Sequence, residues 1–162
     1  MFVLSDEFLV PRPGTIRYWP ADMSDPGAET WSITIPLAAF SATDASDPDT
    51  FRVGTSGPEI IETSLRLDFI HLPAENLAEL SGRTFTFPVN PEGNFIDASI
   101  YIGGGHCPVD VTQIDFGPAD DGQIPAILHT GFDFAAEGVE IENRAAVITV
   151  NLRVPTQPGT AL

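Results

Sequence analysis

Three histidines and a single cysteine are the side chains of this chain best suited to acid–base, nucleophilic or metal chemistry. His106 and Cys107 are adjacent, they follow the triple glycine at 103–105, and Asp110 comes four residues after His106. Glycine lets the backbone adopt positive φ and approach other groups closely. Imidazole, thiol and carboxyl groups carry protons and bind metals. The 103–110 segment is therefore the first candidate for a catalytic loop, with His106 and Asp110 as candidate metal ligands.

The same segment also fits a purely structural role. Adjacent His and Cys rarely bind one metal, and the usual zinc-ligand spacings are missing from the chain. A tight connection between two strands would need the glycines, and Cys107 would then pack as a small hydrophobic residue. Both interpretations stay open at the level of sequence.

A second candidate pair is His129 and Asp133, which share one face of a predicted strand. Residues four apart on a strand are separated by about 13 Å, too far to share a metal unaided. Gly131 between them leaves a gap, so the pair could line the floor of a shallow cleft, or both side chains could simply be solvated. The candidate catalytic residues are thus His106, Cys107, Asp110, His129 and Asp133.

Other motifs are weaker. Asp44, Asp47 and Asp49 could offer oxygen ligands to calcium, but the EF-hand spacing is absent. His71 ends the core face of a predicted strand, where a hydrogen-bonded rim residue is expected. The sequence contains no nucleophile elbow, Walker loop or dinucleotide fingerprint, so no cofactor and no cofactor-binding residue is predicted.

Hydrophobic residues alternate with other residues along much of the chain, most clearly over 124–134 and 146–154. A period of two indicates an extended strand with one buried face, as in antiparallel sheets. The alternation changes phase near Thr112 and Gln113, which predicts a β-bulge. One short helix is predicted near 73–80.

These patterns predict an all-β protein with an antiparallel two-sheet β-sandwich, jelly-roll-like or Greek-key, and a closed β-barrel is the alternative. The length of 162 residues is enough for one sizeable core. Residues 1–154 are expected to form a single domain, and 155–162 a flexible C-terminal tail.

The charge is strongly acidic: 23 Asp and Glu stand against seven basic residues, all of them Arg, for a net charge of −16. Such a charge disfavours nucleic acids and anionic membranes, and it permits a basic protein partner, cation binding, or simply solubility in a salty environment. The lone cysteine excludes an intrachain disulfide. The N-terminus lacks the features of a signal peptide and no run approaches the roughly 18 apolar residues of a membrane span, which favours a cytoplasmic protein.

Three functional hypotheses follow. The first is a non-enzymatic binding module that engages another, basic, protein, with an inhibitor- or immunity-like role as one form. The second is a small metal-dependent or His-dependent enzyme, a hydrolase or isomerase, with its site near the 103–110 loop. The third is a structural subunit of an oligomeric assembly, which would make the chain a homo-oligomer.

Overall fold

A computed structural model describes residues 3–21, 29–41 and 60–155. The candidate calcium ligands Asp44, Asp47 and Asp49, and residues 156–162 of the predicted tail, lie outside these ranges. The described residues form ten strands: β1 Gly14–Trp19, β2 Thr30–Pro36, β3 Phe40–Ser41, β4 Ile60–Ile61, β5 Ser64–Ile70, β6 Thr84–Thr86, β7 Asp97–Ile102, β8 Gly105–Phe116, β9 Gln123–Phe132 and β10 Arg144–Arg153. They also form one short helix, α1 Leu77–Leu80, and two 3-10 turns at Asp6–Phe8 and Ala135–Glu137.

The main sheet closes on itself as a barrel of seven strands. Its strands follow the order β8, β7, β5, β2, β1, β10 and β9, and β9 pairs again with β8. The ring is antiparallel except between β1 and β10, which run parallel where Gly14 stands opposite Leu152. The predicted two-sheet sandwich is therefore wrong, and the alternative, a closed barrel, is what the chain forms.

The physical reason for this correction is that alternation reports one buried face and nothing about which strands pair. The inward residues of all seven ring strands enter one apolar core, which includes Ile16, Ile33, Leu67, Ile100 and Leu128. The same alternation would serve two facing sheets equally well. The strand pairings distinguish a barrel from a sandwich. β8 pairs along both of its edges and β1 contacts β10, so the ring lacks the free edges that a sandwich would keep.

Closure places a steric demand on Gly14. A Cβ at this position would lie 2.5 Å from the carbonyl oxygen of Thr34 and 3.0 Å from Leu152 Cδ2. Only a residue without a side chain lets β1 approach β2 and β10 this closely. Gly14 thus belongs to the seam of the barrel.

The β7–β8 hairpin corrects the picture of a 103–110 loop. Gly103 and Gly104 form the turn with φ of 60° and 77°, the positive values that a two-residue hairpin turn requires. β8 begins at Gly105, so His106, Cys107 and Asp110 lie on a strand and their side chains alternate between its two faces. The predicted bulge is confirmed, because the β8–β9 register shifts between Val111 and Gln113.

The short helix is also present, but it begins later than the sequence suggested. Its N-cap is Asn76, whose side chain accepts a hydrogen bond from the Glu79 backbone N–H at 3.1 Å. Pro73 therefore precedes the helix and does not open it. Within the described ranges, no helix has the length and apolar character needed to cross a bilayer.

Candidate functional site

Alternation along β8 separates the first group of candidate residues. Cys107 points into the barrel and is fully buried, and this burial raises the pKa of its thiol to about 11. Asp110 is on the outer surface, where its carboxylate accepts a hydrogen bond from the Asn90 backbone N–H at 3.2 Å. Cys107 is thus a core residue held in its unreactive thiol form, and it does not share a site with His106 or Asp110.

His106 is exposed on the outer wall and bonds to a residue that sequence reasoning did not select. Its Nε2 lies 2.6 Å from Ser99 Oγ, diagonally across from it on β7. Tyr101 stands directly opposite His106 and is 63% exposed. The three side chains form a small polar and aromatic group at the hairpin end of β7 and β8.

His129 sits further along the wall, in a four-residue hydrogen-bonded network centred on Asp115. Its Nε2 lies 3.0 Å from Asp115 Oδ2 on β8. The other carboxylate oxygen, Oδ1, accepts hydrogen bonds of 2.8 Å from Thr84 Oγ1 and from Gln113 Nε2. Three adjacent strands, β6, β8 and β9, contribute to this network, and Asp115 is its common acceptor.

Those hydrogen bonds set the electrostatics of the network. The pKa of Asp115 is lowered by hydrogen bonds from Thr84, Gln113 and His129, in that order of size, because each of them favours the carboxylate over the acid. Asp115 is therefore a carboxylate at neutral pH. It orients the His129 ring, since the nitrogen that faces it acts as donor.

The surface around this network combines apolar and polar side chains. On the outer wall Ile127 stands between Asp115 and Thr149, and Val147 stands beside His129. Val147 is 61% exposed and Ile127 is 39% exposed. We call the outward side chains of Gln113, Asp115, Ile127, His129 and Val147 the His129 face.

Asp133 does not belong to the His129 face. It follows the last residue of β9, and its carboxylate accepts hydrogen bonds from the Ala136 backbone N–H at 3.1 Å and from Asn143 Nδ2 at 2.9 Å. These contacts fix the 3-10 turn that leaves β9. Gly131, two residues earlier, faces open space, because nothing lies within 4 Å of the place that a Cβ would occupy there.

The structure keeps the two histidines of the candidate set apart. His106 and Gln113, the residue opposite His129, are seven positions apart on β8, which amounts to roughly 20 Å. Across the described ranges, no three His, Cys, Asp or Glu side chains lie close enough together to hold a metal ion. This finding covers His106 and Asp110, the candidate metal ligands, because both lie within the described ranges.

Sequence reasoning missed Asp115, Gln113, Thr84 and Ser99. The phase change at the bulge held a usable signal for two of them, because it moves Gln113 and Asp115 onto the outer face while Ile114 and Phe116 point inward. Thr84 and Ser99 carried no such signal, since their partners depend on the order of strands in the barrel.

Two arrangements on the outer wall could therefore act on another molecule. His106 with Ser99 has the geometry of a proton acceptor beside a hydroxyl group, and the His129 face combines an oriented carboxylate–imidazole pair with exposed apolar residues. Both are open to solvent on a convex wall, which suits contact with a large surface better than enclosure of a small molecule. Comparison with known proteins yields no match among family models, curated proteins or solved structures.

Proposed function

We propose that this chain is a non-enzymatic binding module that engages a basic protein through its His129 face. The observation that carries the proposal is the exposure of two apolar side chains beside the hydrogen-bonded pair: Ile127 stands opposite the ionised Asp115, and Val147 stands opposite His129. Protein interfaces combine an apolar centre with a polar, hydrogen-bonding rim. The His129 face has that composition on adjacent, rigidly paired strands.

The shape of the face supports a protein partner. Val147, His129 and Gln113 stand in one row across β10, β9 and β8, and Thr149, Ile127 and Asp115 stand in the next row. Paired strands hold these side chains in fixed relative positions. Little conformational entropy is then lost when a partner docks, which favours affinity.

The charge supports a basic partner. The net charge of −16 attracts a positively charged protein from a distance, and such steering raises the rate of association more than the final affinity. Asp115 then offers a carboxylate that is already ordered by three hydrogen bonds. An inhibitor- or immunity-like role, in which the chain covers the basic surface of a toxin or enzyme, is one form of this function.

Affinity capture at two salt concentrations tests the proposal. The immobilised chain is exposed to a lysate of the cells that produce it at about 10 mM and about 1 M salt, where the Debye length is about 30 Å and about 3 Å. A partner of high isoelectric point, retained at low salt with an association rate that falls steeply as salt rises, is the expected result. Recovery of no partner, or of partners whose association rate does not change with salt concentration, would count against the proposal.

A second candidate function, a His-dependent hydrolase, is favoured by the hydrogen bond between Ser99 and His106. His106 Nε2 would accept the Ser99 hydroxyl proton while Oγ attacks an ester carbonyl, and the proton would then pass to the alcohol as its bond to the acyl carbon breaks. Water would hydrolyse the acyl-serine and restore the Ser99 hydroxyl group. Turnover of p-nitrophenyl acetate by the wild type and by Ser99→Ala tests it, with Ser64→Ala as the matched surface control. Equal rates for wild type and Ser99→Ala would remove this candidate, and elemental analysis of the purified protein tests its metal-dependent form.

A further inference from the structure

Positive charge is scarce in this chain, and most of it lies on one part of the barrel wall. Of the seven arginines, Arg52 lies outside the described residues. Four of the other six are exposed on β10, β1 and β5 and on the segment that leads into β1: Arg12, Arg17, Arg66 and Arg153. This part of the wall is distinct from the His129 face.

Strand register aligns two of these arginines in a single row. Arg153 stands opposite Thr15, which in turn stands opposite Thr34. Thr34 stands opposite Arg66, and Arg66 stands opposite Ser99. The row therefore has a guanidinium near each end and hydroxyl groups between and beyond them. Three strand-to-strand steps separate Arg153 from Arg66, which is roughly 14 Å along the wall.

Arg17 is held in place above this row by an aromatic ring. Its guanidinium carbon lies 3.9 Å from the centroid of the Trp19 ring. The indole N–H of Trp19 donates a hydrogen bond of 2.9 Å to Ser32 Oγ, which fixes the ring. Trp19 is 44% exposed, so the stacked pair presents both a cation and an apolar surface to the solvent.

Arg12 extends the same surface to the edge of the barrel. It lines a cleft of about 370 Å³ with Ser64, Thr63 and Glu62. Its backbone N–H donates a hydrogen bond of 2.8 Å to the Pro36 carbonyl, which ties the segment to the end of β2. We call Arg12, Arg17, Arg66 and Arg153, with the hydroxyl groups between them, the arginine strip.

None of these four guanidinium groups makes an ion pair with a carboxylate of the described residues. Arg144 shows the contrast, because it bonds to Asp6 and to the Leu4 carbonyl. Glu62 and Asp68 flank the arginine strip without pairing with it. In a chain this rich in carboxylates, four arginines on one wall without such a pair leave strong donors available to another molecule.

We infer that the arginine strip binds an extended acidic segment of a second partner protein. Guanidinium groups bind carboxylates in a planar, two-point geometry, and the hydroxyl groups between them supply further hydrogen bonds. An extended peptide places residues four apart about 13 Å from each other, which matches the separation of Arg153 and Arg66. The exposed Trp19 ring favours a peptide over an inorganic anion, because it offers an apolar contact next to the charge.

The arginine strip would be a second binding surface, and its preference for charge would be opposite to that of the His129 face. The His129 face would attract a basic protein, while the arginine strip would take an acidic segment. Screening makes the two compatible, because the net negative charge acts weakly beyond a Debye length of about 8 Å at physiological salt. Binding at the arginine strip then depends mainly on the charges within a Debye length of it, which include the four arginines.

Binding of a labelled ten-residue peptide with glutamates four positions apart, measured by fluorescence anisotropy at about 0.15 M salt, tests the inference. The double variant Arg17→Gln/Arg66→Gln is expected to bind at least about tenfold more weakly than the wild type, a loss of about 1.4 kcal/mol. The control Arg83→Gln removes the same type of charge from outside the strip and is expected to bind as the wild type does. Thermal unfolding of each variant checks that these exposed substitutions leave the fold intact.

Several outcomes would overturn the inference. Equal peptide binding by the double variant and Arg83→Gln would do so, as would equally tight binding of a peptide with glutamine in place of glutamate. Tighter binding of tripolyphosphate or of a sulfated polysaccharide than of the peptide would assign the strip to another class of ligand. Self-association in light scattering that the double variant abolishes would assign it to a second copy of this chain. Val147→Arg, on the His129 face, is expected to leave peptide binding unchanged, which separates this test from that of the proposed function.

Discussion

Asp115 of β8 and His129 of β9 are joined across the outer wall of the barrel by a contact of 3.0 Å between Oδ2 and Nε2. Fourteen positions of sequence separate them, and Asp133, the carboxylate nearest to His129 in the predicted strand, serves the following turn instead. The pairing of β8 with β9 therefore determines which carboxylate bonds to His129. It also places that pair beside the exposed side chains of Ile127 and Val147.

The first prediction concerns the pH dependence of Asp115. Its pKa is lower in the folded protein than the value of about 3.9 expected in the unfolded chain, so the folded state binds the proton less tightly. The carboxylate therefore stabilises the fold above about pH 4, and this contribution disappears as the pH falls through the folded pKa. Asp115→Asn should be less stable than the wild type at pH 7, with a difference that shrinks below pH 4.

Urea denaturation at pH 7 and across the range from about pH 5 to about pH 2 measures this difference. Asp120→Asn is the matched control, because Asp120 is an exposed turn residue whose side chain makes no hydrogen bond to a described residue. The control should follow the wild type throughout. A stability difference for Asp115→Asn that stays constant with pH would show that the carboxylate is not stabilised as described.

The second prediction separates the two faces of β9. Phe132 is 3% exposed and its ring stacks on Phe134 with centroids 5.7 Å apart. Phe132→Ala should lower the free energy of unfolding by about 3–5 kcal/mol, the range for removal of a buried aromatic ring. His129→Ala, on the outer wall, should cost less than about 1 kcal/mol. Chemical denaturation of both variants decides, and equal costs would contradict the assignment of faces.

The third prediction tests closure of the barrel. Gly14→Ala forces a Cβ against the Thr34 carbonyl at the seam and should destabilise the protein by about 1–3 kcal/mol. Gly131→Ala is the matched control, because nothing lies within 4 Å of a Cβ placed there, and it should change stability by no more than about 0.5 kcal/mol. If thermal unfolding showed both variants to be equally stable, the close packing of β1 against β2 and β10 would be in doubt.

The fourth prediction concerns the reactivity of Cys107. Burial raises the pKa of the thiol to about 11, so at pH 8 roughly one thiol in a thousand is ionised. The side chain is also fully buried, so a reagent in solution cannot contact the sulfur atom. Native protein should react with Ellman's reagent only at the rate at which it opens, and urea-unfolded protein should react at once. Rapid reaction of the native protein would place Cys107 at the surface and restore it as a candidate nucleophile.

Local patterns in the sequence predicted the strands well, because alternation is a property of each strand alone. The bulge near Thr112 was predicted for the same reason, since a change of phase is visible without knowledge of the partner strand. Even the structural interpretation of the glycines before His106 follows from local geometry, because a two-residue turn needs positive φ. Gly103 and Gly104 supply it.

The closure of the barrel and the composition of the candidate site depend on pairings between distant segments. The contact of β1 with β10 rests on a parallel register of only a few residues, with no signature in either strand. Thr84 and His129 meet at Asp115 because β6 and β9 pair with opposite edges of β8. Such pairings are fixed by packing of the whole core, and the sequence pattern of one strand carries little information about them.

A comparison of two charge-matched variants tests whether the His129 face is the surface that binds a basic protein. Val147→Arg and Val10→Arg each add one positive charge at an exposed valine, but only the first lies on the His129 face. Affinity for the captured partner is measured for both by surface plasmon resonance at low salt. Val147→Arg is expected to weaken binding about tenfold or more, while Val10→Arg is expected to stay within about twofold of the wild type. Equal affinities for the two variants would show that binding depends on net charge and not on the His129 face.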